Sequence, residues 1–372
     1  MEIKLKNIKK KLINQKILII TGQNSFNLSG ARDKIFNLIK EENTFIYYKK
    51  KRQPELSEFL EILKLINKFN PNILLGIGGG TSIDYCKLCS VFFNQKNIKN
   101  IIEKNLTLKI KKKIPTLIIP TTAGTGAEVT KFATIFINNK KFSISNNFIK
   151  PDYFSIIPEL SSKSPDYVKA SSLMDTICQS TESLFSVNSN QESVKYSLKS
   201  LRLAFRNWQK YMKLNDKKSA KDIARSSNFS GKAINIAKTN GPHAVSYYFS
   251  TYHNLSHGHA VTLTINSFLY FNFINSKKAK KKNEIKDRYK KLFKLTKTKS
   301  IKGLNLFYQS IIDKLGLEIN FKKLKINLKK EMKNIINETN LERLKNAPIE
   351  LDKRDLYKIV KNNEIKNFNK IK

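Results

Sequence analysis

Through residues 1–150 the chain alternates short apolar runs with amphipathic segments. "KILIITG" leads to "GARDKIFNLIKEE", "TFIYYKK" to "LSEFLEILKLINKF", and "NILLGIGGG" to "SIDYCKLCSVFF", before "TLIIPTTAGTG" closes the series. Unbroken apolar runs of this length suit strands buried on both faces, and the intervening segments have helical periodicity. Strand and helix alternating at this spacing predict a parallel sheet with helices on both faces. Ligands of such sheets bind where loops leave the carboxyl ends of the strands.

The prolines and serines of "IKPDYFSIIPELSSKSPDY" read as a boundary, after which the pattern changes. "YVKASSLMDTICQSTESLF", "ESVKYSLKSLRLAFRNWQKYM", "ARSSNFSGKAINIAKT" and "HAVTLTINSFLYFNF" all space their apolar residues by three to four. The expected architecture is an α/β dinucleotide-binding domain over residues 1–158 and an all-α domain over 159–372. A functional site is expected in the cleft between them. A chain of 372 residues can bury such cores without a disulfide or a structural metal, so a metal here would serve chemistry.

The 70 Lys and Arg outnumber the 29 Asp and Glu for a formal charge of +41, which raises the question of a nucleic-acid or membrane partner. The lysines travel with Ile and Asn over many segments, as in "KKLKINLKKEMKNIINETN", a bias that puts lysine on the solvated faces of amphipathic helices. Specific nucleic-acid binding is therefore not expected, although the field would speed the arrival of an anionic substrate. No apolar run reaches the roughly 18 residues of a membrane span. The basic start resolves into a first strand at "ILII", with no small-residue cleavage site after it. Three cysteines, Cys86, Cys89 and Cys178, suit a reducing cytoplasm. The C-x-x-C of Cys86 and Cys89 lies inside a predicted helix and lacks the second half of a zinc site, so it reads as packing.

Two segments carry phosphate-binding character. In "NILLGIGGGTSID" a strand runs into Gly78, Gly79 and Gly80, followed by Thr81, Ser82 and a helix. Backbone N–H groups there can approach a phosphate, and the helix amino end favours negative charge. The motif is neither G-x-G-x-x-G nor a Walker loop, and a tight turn alone could account for it. "IIPTTAGTGAEVT" repeats the design with Thr121, Thr122, Gly124, Thr125 and Gly126. Two such loops on one sheet point to a long phosphate-bearing ligand such as a dinucleotide.

All four histidines fall in one stretch, at 243, 253, 257 and 259. His243 and His257 are natural imidazole ligands if a helix and a return loop join them. Asp175 and Gln179 share one face of a preceding helix and can oppose them.

These motifs, in this order, resemble the iron-containing (group III) alcohol dehydrogenase family, and the likeness continues through "NLERLKNAPIELDKRDLYKIV" to cover nearly the whole chain. The resemblance implies a divalent metal, Fe2+ or Zn2+, held by Asp175, Gln179, His243 and His257, with NADPH or NADH as the second cofactor. Gln179 stands where most of the family has histidine. "CQSTESLFSVNSNQES" and "PHAVSYYFSTYHNLSHGHAVTL" resemble the branch that reduces phosphonoacetaldehyde to 2-hydroxyethylphosphonate, in which glutamine is usual at that position.

By the same resemblance the dinucleotide rests on Gly22, Gly78, Gly79, Gly80, Thr81, Ser82, Thr121, Thr122, Thr125 and Lys141. Gly22 ends the first strand where NAD-preferring relatives carry an acidic residue, so it admits the 2′-phosphate of NADPH. Tyr247, one turn past His243, can orient substrate, relay a proton or simply pack. Lys238 and Thr239, or Lys131, are candidates for an anionic tail, and His253 and His259 read as structural. The expected protein is a homodimeric, cytoplasmic reductase of a small anionic aldehyde. The alternatives are a general alcohol or diol dehydrogenase of the same family and a non-catalytic polyanion-binding protein.

Overall fold

The computed structural model describes residues 1–39, 41–108, 110, 112–214 and 216–371. The strands are β1 (Ile17–Thr21), β2 (Thr44–Tyr48), β3 (Ile73–Gly78), β4 (Thr116–Pro120), β5 (Phe132–Ile137), β6 (Lys140–Ser145) and β7 (Tyr153–Phe154). Five of them form a parallel sheet in the order β2-β1-β3-β4-β7. Successive side chains of a strand point to opposite faces, and the two cores divide accordingly. Leu18, Ile20, Leu74 and Ile118 pack with Phe59, Ile62 and Phe92 of helices Leu56–Phe69 and Gly80–Phe92. Ile17, Ile19, Leu75, Ile77 and Ile119 pack instead with Phe26, Ile35 and Leu160. The expected parallel sheet with two covered faces is what forms.

Three local readings change. The basic lead-in to β1 is a helix, Leu5–Leu12, whose Ile8 and Leu12 are buried beneath the sheet. The segment read as a boundary contributes β7, an edge strand of two residues that is too short to produce a periodic signal. Between β4 and β7 the chain also makes an antiparallel hairpin, β5–β6, turning through Asn138 and Asn139, both at positive φ.

The chain divides into two compact units. The first is Met1–Ser164 with Lys213–Gly231, and the second is Pro165–Met212 with Lys232–Lys372. Among the described residues the second unit is entirely helical. Its core helix, His257–Ile274, is buried on all sides from Gly258 to Leu269, as expected of a helix with little polar surface. Gly258 makes one contact of that helix possible: a Cβ there would lie 2.0 Å from the Ser171 carbonyl oxygen and 2.8 Å from the Asp175 Cβ. Among the described residues, no helix is long and apolar enough to cross a membrane.

Candidate functional site

Three helices of the second unit bring the candidate ligands together. Asp175 and Gln179 sit one turn apart on helix Asp166–Phe185 and are 2% and 3% exposed. His243 is buried in the first turn of helix Gly241–Tyr252. That helix is started by the Asn240 side chain, which accepts the Gly241 N–H, and by Pro242 at a position needing no hydrogen bond. His257 opens helix His257–Ile274, its side chain 33% exposed. The close approach at Gly258 sets it beside Asp175.

His243 Nε2 lies 3.3 Å and His257 Nε2 4.0 Å from Asp175 Oδ1. One ligand atom from each of these three residues falls within 4.8 Å of the others. Asp175 Oδ1 and His243 Nε2 are fully buried and have no hydrogen-bond partner. Burial alone would raise the Asp175 pKa. The charge of His257 and the adjacent His243 and Gln179 side chains more than offset it, holding the carboxyl below its ordinary range. Buried polar atoms left without partners are costly, and these two face a common point. A carboxylate and two imidazoles fit a divalent cation such as Fe(II) or Zn(II), and Gln179 stands one turn from Asp175 and bonds it.

A residue not singled out from the sequence orients this set. Glu182, buried one turn beyond Gln179, accepts the backbone N–H groups of Asn240 at 3.0 Å and His243 at 3.1 Å with Oε1. Its Oε2 accepts from His243 Nδ1. An ionised carboxylate can only accept, so Nδ1 carries a proton, and Nε2, on the Asp175 side, is the ring nitrogen available to a cation. Burial works against a charge on His243, but Glu182 and Asp175 outweigh it and raise its pKa. The sequence held a signal for this: Asp175, Gln179 and Glu182 fall at i, i+4 and i+7 on one helix face.

Tyr247 is buried one turn past His243, its ring nearly parallel to that of His257 with centroids 6.3 Å apart. The Arg343 guanidinium lies over the Tyr247 ring at 5.4 Å. Burial raises the Tyr247 pKa, and Arg343 partly opposes that. Thr239 is buried and its hydroxyl accepts from Arg343 Nη1. Lys238 is exposed at the end of its helix with φ +61°, and among the described residues its ammonium makes no hydrogen bond or ion pair. The other two histidines are structural: Nε2 of His253 bonds Glu331 at 2.5 Å, and His259 bridges the Tyr167 hydroxyl and the Glu318 carbonyl.

In the first unit the candidate cofactor residues line the carboxyl edge of the sheet. Gly22 follows β1, the run Gly78–Ser82 starts on the last residue of β3, and Thr121 and Thr122 follow β4. Gly78 has φ +149°, and a Cβ there would meet Ser82 Oγ at 2.7 Å, so glycine is required. Gly79 starts helix Gly80–Phe92 without a side-chain cap, leaving its first N–H groups to an anion. Thr122 and Thr125 stand against Gly79 and Gly80. The Ser82 and Thr121 hydroxyls are buried and have no partner. These loops thus fit a phosphate-bearing ligand. Two candidates have other work or another place: Thr81 donates to the Arg52 carbonyl at 2.8 Å, and Lys141 lies on the β5–β6 hairpin, 5.8 Å from the Phe136 ring. Lys131 precedes β5, its carbonyl accepting from Asn146. Lys49, in a segment with no sequence motif, also stands here just past β2, its Cε 3.5 Å from where a Gly22 Cβ would be.

The sequence profile described as "Iron-containing alcohol dehydrogenase" matches residues 3–158, and that described as "Fe-containing alcohol dehydrogenase family, C-terminal" matches residues 169–363. The chain belongs to the iron-containing alcohol dehydrogenase family. A divalent metal and a nicotinamide dinucleotide are the cofactors of iron-containing alcohol dehydrogenases, and the two candidate sites have chemistry suited to each. The chain is 26% identical over 254 residues to long-chain-alcohol dehydrogenase 1 of Geobacillus thermodenitrificans, covering 67% of this chain and 64% of that one. It is 32% identical over 157 residues to phosphonoacetaldehyde reductase of Streptomyces viridochromogenes, covering 41% and 40%. The matches thus span under two thirds of either relative. Its fold is that of the sulfoacetaldehyde reductase from Bifidobacterium kashiwanohense solved in complex with NAD+, with TM-score 0.84 and 20% identity over 97% of this chain and 95% of that one.

Proposed function

We propose that this protein is a metal-dependent, NAD(P)H-linked reductase of a small anionic aldehyde, with phosphonoacetaldehyde converted to 2-hydroxyethylphosphonate as the specific reaction. The observation that carries the reading is the cluster of buried Asp175 and His243 with the half-buried His257, and Gln179 one turn away. The 32% identical stretch shared with a phosphonoacetaldehyde reductase supports the substrate.

When bound, the metal supplies Lewis-acid polarisation of a carbonyl and the reduced nicotinamide supplies hydride. The chain's own residues do the rest. Asp175, Gln179, His243 and His257 would hold the metal, and Glu182 fixes the His243 tautomer that leaves Nε2 free to bind it. Tyr247 walls the site next to His257, and its raised pKa keeps the phenol protonated at neutral pH. Gly78–Ser82 and Thr121–Gly126 would cradle the dinucleotide phosphates. Gly22 and Lys49 together favour NADPH, since no carboxylate follows β1 and a cation stands beside it. The three free, buried thiols suit a reducing cytoplasm.

The test is an aldehyde panel assayed with NADH and NADPH under iron-replete, anaerobic conditions. Phosphonoacetaldehyde should exceed butanal and lactaldehyde in kcat/KM by a wide margin. Equal or faster turnover of the uncharged aldehydes would sink the substrate assignment and favour the second reading, a general alcohol dehydrogenase. That reading draws on the 26% identical long-chain-alcohol dehydrogenase.

A further inference from the structure

We infer that Arg343 is the residue that recognises the anionic tail of the substrate, a tetrahedral oxyanion carried on a two-carbon aldehyde. The inference rests on the anionic-aldehyde reading above and adds to it the group that makes the choice.

Arg343 is held in place from three directions. Its backbone N–H is capped by the Asn340 side chain at 2.8 Å, and the Asn340 N–H donates to the Ala244 carbonyl at 3.2 Å, next to His243 in sequence. The guanidinium donates through Nη1 to the Thr239 hydroxyl, and the Thr239 carbonyl is fixed by Asn346 Nδ2 at 3.0 Å. Its carbon then lies 5.4 Å from the Tyr247 ring centroid. The Tyr247 ring is in turn stacked toward His257, one of the candidate metal ligands. One aromatic ring therefore separates this cation from the metal-binding cluster.

The guanidinium is only partly buried, yet among the described residues it has no carboxylate partner. A guanidinium offers five N–H donors in a planar fork. One is engaged by Thr239, which leaves the paired edge that recognises phosphonate or sulfonate oxygens bidentately. Lys238, the sequence candidate for this role, is exposed and carries no such anchoring. An aldehyde whose oxygen enters the Asp175–His243–His257 cluster and whose two-carbon chain passes Tyr247 presents its oxyanion to Arg343. Uncharged aldehydes gain nothing from that contact, which is how the residue confers selectivity. A chain too short or too long would misplace the oxyanion.

The experiment compares metal-loaded wild type, Arg343→Lys and Arg343→Gln with phosphonoacetaldehyde, sulfoacetaldehyde and propanal, and measures inhibition by methylphosphonate, which has the tail without the aldehyde. The expected result is that Arg343→Gln lowers kcat/KM for the anionic aldehydes roughly 10- to 100-fold, mainly through KM, and changes propanal turnover less than about threefold. Arg343→Lys should fall between, methylphosphonate should inhibit the wild type competitively but not Arg343→Gln, and added guanidinium should restore part of the loss. A greater wild-type rate with phosphonoacetaldehyde than with sulfoacetaldehyde identifies the tail as phosphonate, and the reverse as sulfonate. A wild type that prefers anionic aldehydes and keeps its preference in both variants overturns the role of Arg343 alone. So does an equal loss for charged and uncharged substrates, which marks Arg343 as a structural rivet. A wild type without anionic preference overturns the substrate reading itself.

Discussion

His243 Nε2 and Asp175 Oδ1 stand 3.3 Å apart inside the helical unit, both buried, and neither makes a hydrogen bond. Glu182 holds a proton on the opposite ring nitrogen, which leaves His243 Nε2 as the atom beside Asp175 that a cation can take. The pair is held in a geometry that a cation completes. Glu182→Gln keeps the size of the side chain and removes its charge. Equilibrium titration of the apoprotein with Zn2+ or Co2+ should show affinity lowered roughly 10- to 100-fold. Unchanged affinity would show that the carboxylate does not orient the ligand.

Gly258 is a second point of sensitivity. A methyl group there would meet the Ser171 carbonyl oxygen at 2.0 Å, so one of two buried helices must shift. Gly258→Ala should cost about 1–3 kcal/mol or more in stability, read as a lower Tm, with weakened metal binding because His257 is displaced from Asp175. A variant with wild-type Tm and metal affinity would mean that the contact is loose.

Lys87 sets a pH dependence in the sheet unit. It is completely buried in helix Gly80–Phe92 and donates to the carbonyls of Ala127 and Phe132 and to the Thr130 hydroxyl, bracing the chain after the second glycine loop. Burial pushes its pKa down to about 8, with Asp84 and Glu128 opposing the shift. Between that value and the ordinary 10.5 the unfolded chain binds more protons than the folded one. The cost of burying the charge is therefore complete below about pH 8 and fades as pH rises through the window. In urea unfolding, the wild type should gain stability between pH 7.5 and 9.5 relative to Lys87→Met. Parallel pH profiles would contradict this.

The proposed preference for NADPH rests on Gly22 and Lys49. Gly22→Asp introduces a carboxylate at the end of β1, where it can accept ribose hydroxyls and repel a 2′-phosphate. The kcat/KM ratio for NADPH over NADH should fall about tenfold or more, and Lys49→Ala should lower it in the same direction. A ratio unchanged in both variants would place the 2′ position elsewhere.

The fold was legible where period and burial coincide. The runs forming β1, β3 and β4 are apolar throughout because both sheet faces are covered, and the loops after β3 and β4 were marked by their glycines. The two-residue β7 and the return of Lys213–Gly231 to the first unit leave no local pattern, since long-range packing decides them. At the candidate metal site, the rarity of histidine in the chain exposed His243 and His257. Glu182 shares a helix face with Asp175 and Gln179, but nothing near it in sequence names its partner, and Arg343 sits in a short helix with no motif of its own. Glu182 acquires its role only when His243 arrives 61 residues later, and Arg343 only when Thr239 and Tyr247 fold against it.

Asp175, Gln179, His243 and His257 are proposed to hold a catalytic divalent metal. Elemental analysis of protein purified without air tests it most directly, comparing wild type with a His243→Ala, His257→Ala double variant of equal secondary structure. Wild type should carry about one equivalent of iron or zinc per chain, and the double variant should lose it. The same metal content in both proteins would contradict it.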